Sequence, residues 1–126
     1  MTNSHLYGPF ELKAATIDKK VPKGIVGNFL LGETTPENCG FSVLSIGRSD
    51  TDLNEELKKF VGDFKHFQFS YAFSKYDAFY LECTHFHNFN DKLINGHKKE
   101  HPKPPKGCNW FCPVCGSWFF SILLIT

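Results

Sequence analysis

The chain has little of several features that would assign it to a large functional class. Its 14 Lys and Arg nearly balance 13 Asp and Glu, so the protein has no overall field that would attract nucleic acid or an anionic membrane. Residues 1–20 contain no apolar segment behind a basic start, so we expect no secretory signal. The longest apolar run, residues 118–125, is far shorter than the roughly 20 residues that span a bilayer. We therefore expect a cytoplasmic protein that does not enter a membrane.

The number of cysteines is odd. Five cysteines in a chain without an export signal do not make a complete disulfide framework, so metal ligation is the better interpretation. Aromatic residues, by contrast, are abundant, since they make up 16% of the chain and include 14 Phe. So much apolar surface argues against intrinsic disorder, and a chain of 126 residues suits one compact domain.

Hydrophobic periodicity predicts an α/β fold with the element order β-β-α-β-α. Residues 25–31 and 41–47 are two short β-type runs separated by turn formers, which predicts a hairpin. A helix capped by Asp52 follows, and residues 66–73 then alternate as a strand does. Ser74 is placed to cap a second helix. We expect a small mixed or antiparallel sheet flanked by these helices.

The two ends of the chain differ from this central pattern. Residues 1–21 have no sustained period and are predicted to form an arm or a short first strand, whereas residues 22–126 are predicted to form a single domain. The second helix is followed by a Lys- and Pro-rich connector, residues 90–107, whose prolines exclude a central strand. A cysteine knuckle and an apolar run come next, which predicts a C-terminal strand held in place by a metal ion.

The sequence CPVCG at residues 112–116, here called the knuckle, is the most specific local signal. Two thiolates separated by two residues can bind one ion, and the following glycine permits a tight turn. The second predicted helix offers a cysteine and a histidine four residues apart and therefore on one helical face. These residues predict a structural zinc site with the ligands Cys83, His87, Cys112 and Cys115.

Alternatives to this ligand set stay open at the level of sequence. Cys108, four residues before the knuckle, and His101, within the connector, are rival ligands. A Cys₄ set that includes Cys108 would suit iron, although structural zinc is more common at such a site. The interpretation without a metal is a group of buried thiols, with CPVC as an ordinary turn.

Two triplets in the predicted hairpin, GNF at residues 27–29 and SIG at residues 45–47, stand in an order and spacing that resemble the GIY-YIG domain. This family has a small α/β fold and is best known from endonucleases that cut DNA. The resemblance covers roughly residues 22–89, and GCNWFCPVCG is similar to a TNWxCPxC-like segment that ends some GIY-YIG-like proteins. It places Glu82 where the family has its metal-binding glutamate.

The same resemblance implies that nuclease chemistry is impaired in this chain. In the family, a tyrosine hydroxyl helps to activate water, an arginine stabilises the phosphate charge, and the glutamate holds one divalent cation, for which Mg²⁺ or Mn²⁺ is expected. Here Phe29 and Ser45 stand at the tyrosine positions, and the first predicted helix has Glu55 and Glu56 where the family has its arginine. Arg48, directly after the hairpin, is the candidate replacement for that arginine.

The sequence thus predicts a GIY-YIG-like domain that has lost hydrolytic competence and retains nucleic-acid or protein binding. One alternative is an active metal-dependent DNA endonuclease that uses Arg48 and Glu82. Another is a zinc-stabilised protein-interaction module. The connector contains the one basic cluster of the sequence, which would follow a phosphate backbone without base specificity or else form a solvated loop. Its members are Lys92, Lys98, Lys99, Lys103 and Lys106.

Overall fold

A four-stranded antiparallel sheet lies at the centre of the structure, a computed structural model that describes residues 5–36, 40–93 and 100–116. Within these residues the strands are β1 at Tyr7–Glu11, β2 at Gly27–Thr35, β3 at Gly40–Ser49 and β4 at His66–Tyr71. The helices are α1 at Ala14–Lys20, α2 at Leu53–Lys58 and α3 at Lys75–Phe89, and a 3-10 turn at Asn90–Lys92 follows. The predicted α/β class is confirmed, since the predicted β-β-α-β-α order corresponds to β2, β3, α2, β4 and α3.

The strands are arranged in the order β1-β4-β2-β3, so β2 is paired on both sides. It pairs with β3 from Gly27 opposite Ser49 to Thr35 opposite Gly40, with one register shift after Leu31. The hairpin extends further than the apolar runs predict, because the polar residues beyond Leu31 continue the ladder. Since side chains alternate along a strand, successive residues of β2 face opposite sides of the sheet.

Each face of the sheet packs against helices and buries its own apolar layer. One layer joins Phe29 and Leu31 of β2 to Leu53 and Leu57 of α2 and to Ile17 of α1. The other layer lies beneath α3 and comprises Leu30, Val43, Ile46, Phe86 and Leu93. The sheet is therefore the middle of three layers, with α1 and α2 on one side and α3 on the other.

Capping side chains fix where α2 and α3 begin, as the sequence predicts. Asp52 accepts a hydrogen bond from the backbone N–H of Glu55 at 3.3 Å. Ser74 accepts one from the backbone N–H of Asp77 at 3.1 Å. Each cap satisfies a donor that the first turn of a helix leaves without an intrahelical partner.

The N-terminal segment contains more structure than the predicted arm or short strand. β1 pairs with β4, and Phe10 lies opposite Phe67. After it, α1 buries Ile17 completely, and Val21 is buried directly behind the helix. The sequence does not reveal α1, because Lys13 at its N-cap makes no side-chain capping bond and the helix has only seven residues.

Some predictions concern residues outside the described ranges. The predicted C-terminal strand at residues 118–125 lies there, as do Cys39, Lys98 and Lys99. No helix among the described residues combines the length and the apolar composition that crossing a membrane requires.

Candidate metal centre

Three segments bring metal-binding side chains together beside the last turn of α3. His87 lies in that turn, His101 lies in the connector, and Cys112 and Cys115 belong to the knuckle. One ligand atom from each of these residues lies within 4.8 Å of the corresponding atoms of the other three. Two imidazole nitrogens and two sulfurs are therefore close enough together to bind a single metal ion.

The distances between cysteine and histidine atoms fit a tetrahedral zinc ion. Cys112 Sγ lies 3.5 Å from His87 Nε2, and Cys115 Sγ lies 3.6 Å from His101 Nε2. With a Zn–S bond of about 2.3 Å and a Zn–N bond of about 2.0 Å, the tetrahedral angle separates sulfur from nitrogen by about 3.5 Å. Each cysteine–histidine pair is therefore spaced as one edge of a zinc tetrahedron.

The backbone of the knuckle is folded around the Cys112 sulfur. The N–H groups of Val114 and Cys115 donate to Cys112 Sγ at 3.3 and 3.4 Å. Gly116 closes the turn by donating its N–H to the Cys112 carbonyl at 2.8 Å. Its φ of +68° lies in the left-handed region that favours glycine. The turn therefore fixes the position of the Cys112 sulfur beside His87.

A backbone carbonyl orients the His101 ring. His101 Nδ1 lies 2.8 Å from the carbonyl oxygen of Pro102. Because a carbonyl oxygen can only accept, this contact is a hydrogen bond in the tautomer that has its proton on Nδ1. In that tautomer the ring nitrogen without a proton is Nε2, which lies 3.6 Å from Cys115 Sγ. Histidine ligands of metal sites are commonly held in this way, through the ring nitrogen that does not bind the ion.

The protonation of His87 also favours metal binding. Burial lowers the pKa of His87, and the neighbouring His101 lowers it further. The two rings stand edge to face with their centroids 5.3 Å apart. Since a metal binds the neutral imidazole, a lowered pKa leaves more of His87 in the competent form at neutral pH.

Three of the four predicted ligands lie in this group, and His101, one of the alternatives, is the fourth member. Cys83 lies outside it and is fully buried beside Phe79 and Cys112. Burial raises the pKa of the Cys83 thiol, and the charge of Cys112 raises it further. Cys83 lies one helical turn before His87, on the same face of α3, and packs against Cys112 without being part of the group. Cys108 is outside the group as well.

The two predicted catalytic residues lie together on the α3 face of the sheet. Arg48 Nη1 donates to Glu82 Oε1 at 2.6 Å. Nε and Nη2 of the same guanidinium donate to the two carboxylate oxygens of Asp50 at 2.9 and 3.3 Å. Nη2 also donates to the carbonyl of Lys103 at 2.7 Å. Burial acts to lower the pKa of Arg48, but the carboxylates of Asp50 and Glu82 raise it overall.

The residues at the two family tyrosine positions lie on the other face of the sheet. Phe29 is paired with Gly47 and Leu31 with Ser45, so these positions share the face toward α1 and α2. Phe29 is 1% exposed and packs against Phe60, with the ring centroids 5.6 Å apart. A Cβ atom on Gly47 would overlap the Phe29 ring. The sheet thus separates both positions from the arginine–glutamate pair.

Comparisons with protein-family models, with curated proteins and with solved structures find no match to this chain. Two features of the structure therefore bear on function: the four-residue group at the knuckle and the network around Arg48.

Proposed function

We propose that the protein is a zinc-stabilised binding domain of GIY-YIG-like architecture that does not hydrolyse phosphodiesters. The observation that carries this proposal is the group of His87, His101, Cys112 and Cys115, whose ligand atoms lie within 4.8 Å of one another. A zinc ion bound by these four residues would join His101 of the connector and the knuckle to α3. The metal then has a structural role.

The chemistry of the donors favours zinc over other metals. Two thiolates and two imidazoles form one of the common structural zinc shells, whereas Mg²⁺ and Ca²⁺ select oxygen ligands. Four protein donors also complete a tetrahedral shell. A catalytic zinc ion needs an open position for water or substrate, and this set of ligands leaves none.

The surroundings of Glu82 and Arg48 support the absence of hydrolysis. Glu82 is 3% exposed and accepts the 2.6 Å hydrogen bond from Arg48, so a cation of the protein already neutralises it. Arg48 directs its other donors to Asp50 and Lys103, where an arginine that clamps a phosphate would direct them to substrate. Phe29 has no hydroxyl and lies across the sheet, so it could not relay a proton to this side.

Nucleic acid is the partner that we propose for this domain, on the family resemblance and on the exposed connector residues Lys103 and Lys106. Lysine side chains that contact nucleic acid neutralise its phosphates, so the affinity for nucleic acid should fall steeply as the salt concentration rises. We would measure binding of labelled single- and double-stranded oligonucleotides between about 50 and 200 mM salt. Changing both lysines to Gln should reduce the slope of log affinity against log salt concentration. The same change at Lys19 and Lys20 of α1 is the matched control and should leave this slope as it is. Absent or salt-independent binding would favour a protein partner instead.

Elemental analysis of protein purified without a chelator tests the zinc centre. We expect about one zinc per chain, and Cys115→Ser should abolish stoichiometric binding. Cys108→Ser is the matched control and should retain the metal. His101→Ala and Cys83→Ser decide the fourth ligand, since only the histidine variant should lose affinity. A wild-type protein without metal would refute the zinc centre.

Plasmid nicking with Mg²⁺ or Mn²⁺ tests the absence of hydrolysis. We expect no turnover by the wild-type protein. Turnover that disappears in Glu82→Ala would contradict the proposal and support the alternative, an active metal-dependent endonuclease.

A further inference from the structure

Arg48 connects three segments of the chain through one guanidinium group. From β3 it donates to Glu82 of α3 at 2.6 Å and to the Lys103 carbonyl of the connector at 2.7 Å. Its side chain is 11% exposed and lies over the Phe79 ring, 5.4 Å from the ring centroid. Asp50 fixes the guanidinium from the remaining side, through Nε at 2.9 Å. The network therefore holds the connector against both the sheet and α3.

Residues 102–105 of the connector have few backbone donors with which to attach to the sheet. Because Pro102, Pro104 and Pro105 have no backbone N–H, Lys103 is the one residue from 102 to 105 that offers a backbone donor. The carbonyl oxygens of this stretch can still accept hydrogen bonds, and the Lys103 carbonyl accepts one from Arg48 Nη2 at 2.7 Å.

This attachment point is next to the metal centre along the chain. Lys103 follows His101 by two residues, and Pro102 between them is buried. The Pro102 carbonyl is the group that orients the His101 ring, and His101 Nε2 lies 3.6 Å from Cys115 Sγ. Residues 101–103, with Pro102 in the middle, thus connect the Arg48 guanidinium to His101 Nε2, a candidate ligand atom.

We infer that Arg48 is a positioning residue of the metal centre, which holds the connector so that His101 completes the ligand set. This inference rests on the proposed zinc centre. Arginine suits the task because its planar fork serves Asp50, Glu82 and the Lys103 carbonyl at once, whereas a lysine ammonium has neither that geometry nor that number of donors.

Zinc affinity, measured by competition with a chromophoric chelator, tests the inference in a double-mutant cycle. Arg48→Lys should weaken zinc binding about 10- to 100-fold, as expected when support of a ligand is lost. In a His101→Ala background, where three donors remain, the same change should have almost no effect, because the residue on which Arg48 acts is absent. The matched control is Lys58→Gln, which removes a 2.6 Å ion pair with Asp18 on the opposite side of the sheet and should leave zinc affinity unchanged.

A second variant separates positioning from folding. Arg48→Met combined with Glu82→Gln removes both charges of the buried pair. Asp50 also loses its partner, but its side chain is 23% exposed and can be hydrated, so the fold should be retained. This double variant should show the same loss of zinc affinity with a native circular dichroism spectrum, and its cobalt-substituted form should have the ligand-field spectrum of the His101→Ala protein.

Wild-type affinity in both Arg48 variants would overturn the inference and leave the zinc centre intact. An equal loss of affinity in the His101→Ala background would also overturn it, because Arg48 would then act on the fold in general. If the wild-type protein binds no zinc, the proposed function fails together with the inference.

Discussion

Removal of zinc should lower the stability of the domain by an amount set by the length of chain that the ion closes. His87 and Cys112 are 25 residues apart in the sequence, yet their ligand atoms are 3.5 Å apart. A cross-link that closes a loop of this length reduces the entropy of the unfolded chain by roughly 3.5 kcal/mol at 25 °C in the chain-entropy treatment. We therefore expect a chelator to lower the free energy of unfolding by about 3 kcal/mol and the Tm by roughly 10 °C.

Urea unfolding of zinc-loaded and EDTA-treated protein measures this difference directly. The m-value should change little if the same surface is buried in both forms, so the midpoint should carry the effect. A double variant, Cys115→Ser with His101→Ala, cannot assemble the ligand set and should show no response to EDTA. A zinc-loaded wild-type protein whose midpoint is the same after chelation would refute the idea that the ion cross-links α3 to the knuckle.

Three further predictions concern the fold around the site. Gly47→Ala should destabilise the protein by about 1–3 kcal/mol in urea unfolding, because the new methyl group overlaps the Phe29 ring. Glu82→Ala should cost about 1.5–3 kcal/mol, since it removes one of the two carboxylates that pair with the Arg48 guanidinium, and Arg48→Met in the same chain should recover part of the loss. Backbone N–H groups of Gly24 and of the first turn of α2 lower the pKa of Asp52 below its ordinary 3.8. The stabilisation from Asp52 is thus present above pH 3.8 and is lost as the pH falls through the folded-state pKa, whereas Asp52→Asn should keep the cap and flatten this part of the pH profile of urea midpoints.

Local chemistry explains which parts of the fold the sequence predicts. Asp52 and Ser74 mark helix starts because each accepts a hydrogen bond from a residue three positions later, and that contact depends on nothing distant. The α1 helix lacks such a signal, since Lys13 at its N-cap makes no capping bond. Its stability comes from the burial of Ile17 against the sheet, which the sequence alone does not display.

The candidate metal centre, too, is predicted by the sequence only where it depends on neighbouring residues. The spacing of CPVCG predicts the knuckle, because two residues between cysteines set the distance between their sulfurs. The spacing of Cys83 and His87 predicts only a shared helical face. Which of the two side chains shares an ion with the knuckle depends on where the connector places the knuckle. His101 was one of two alternatives that the sequence left open, and only the fold of the chain brings its ring next to Cys115.

Strand parity was a signal that the sequence did contain for the predicted catalytic residues. Ser45 and Arg48 are an odd number of residues apart on one strand, so they face opposite sides of the sheet. Phe29 is opposite Gly47 and therefore shares the face of Ser45. Because the register between strands is set by long-range pairing, only the structure places Phe29 away from Glu82.

The close packing of Phe29 on Gly47 decides whether a tyrosine would fit at position 29. A tyrosine at position 29 would extend its hydroxyl from the end of the ring that touches Gly47, within a layer of apolar side chains. A hydroxyl buried there without a partner would cost roughly 1–3 kcal/mol. Phe29→Tyr should therefore lower the free energy of unfolding. Under the proposed function this variant should still not nick plasmid DNA, because its hydroxyl would lie across the sheet from Arg48 and Glu82.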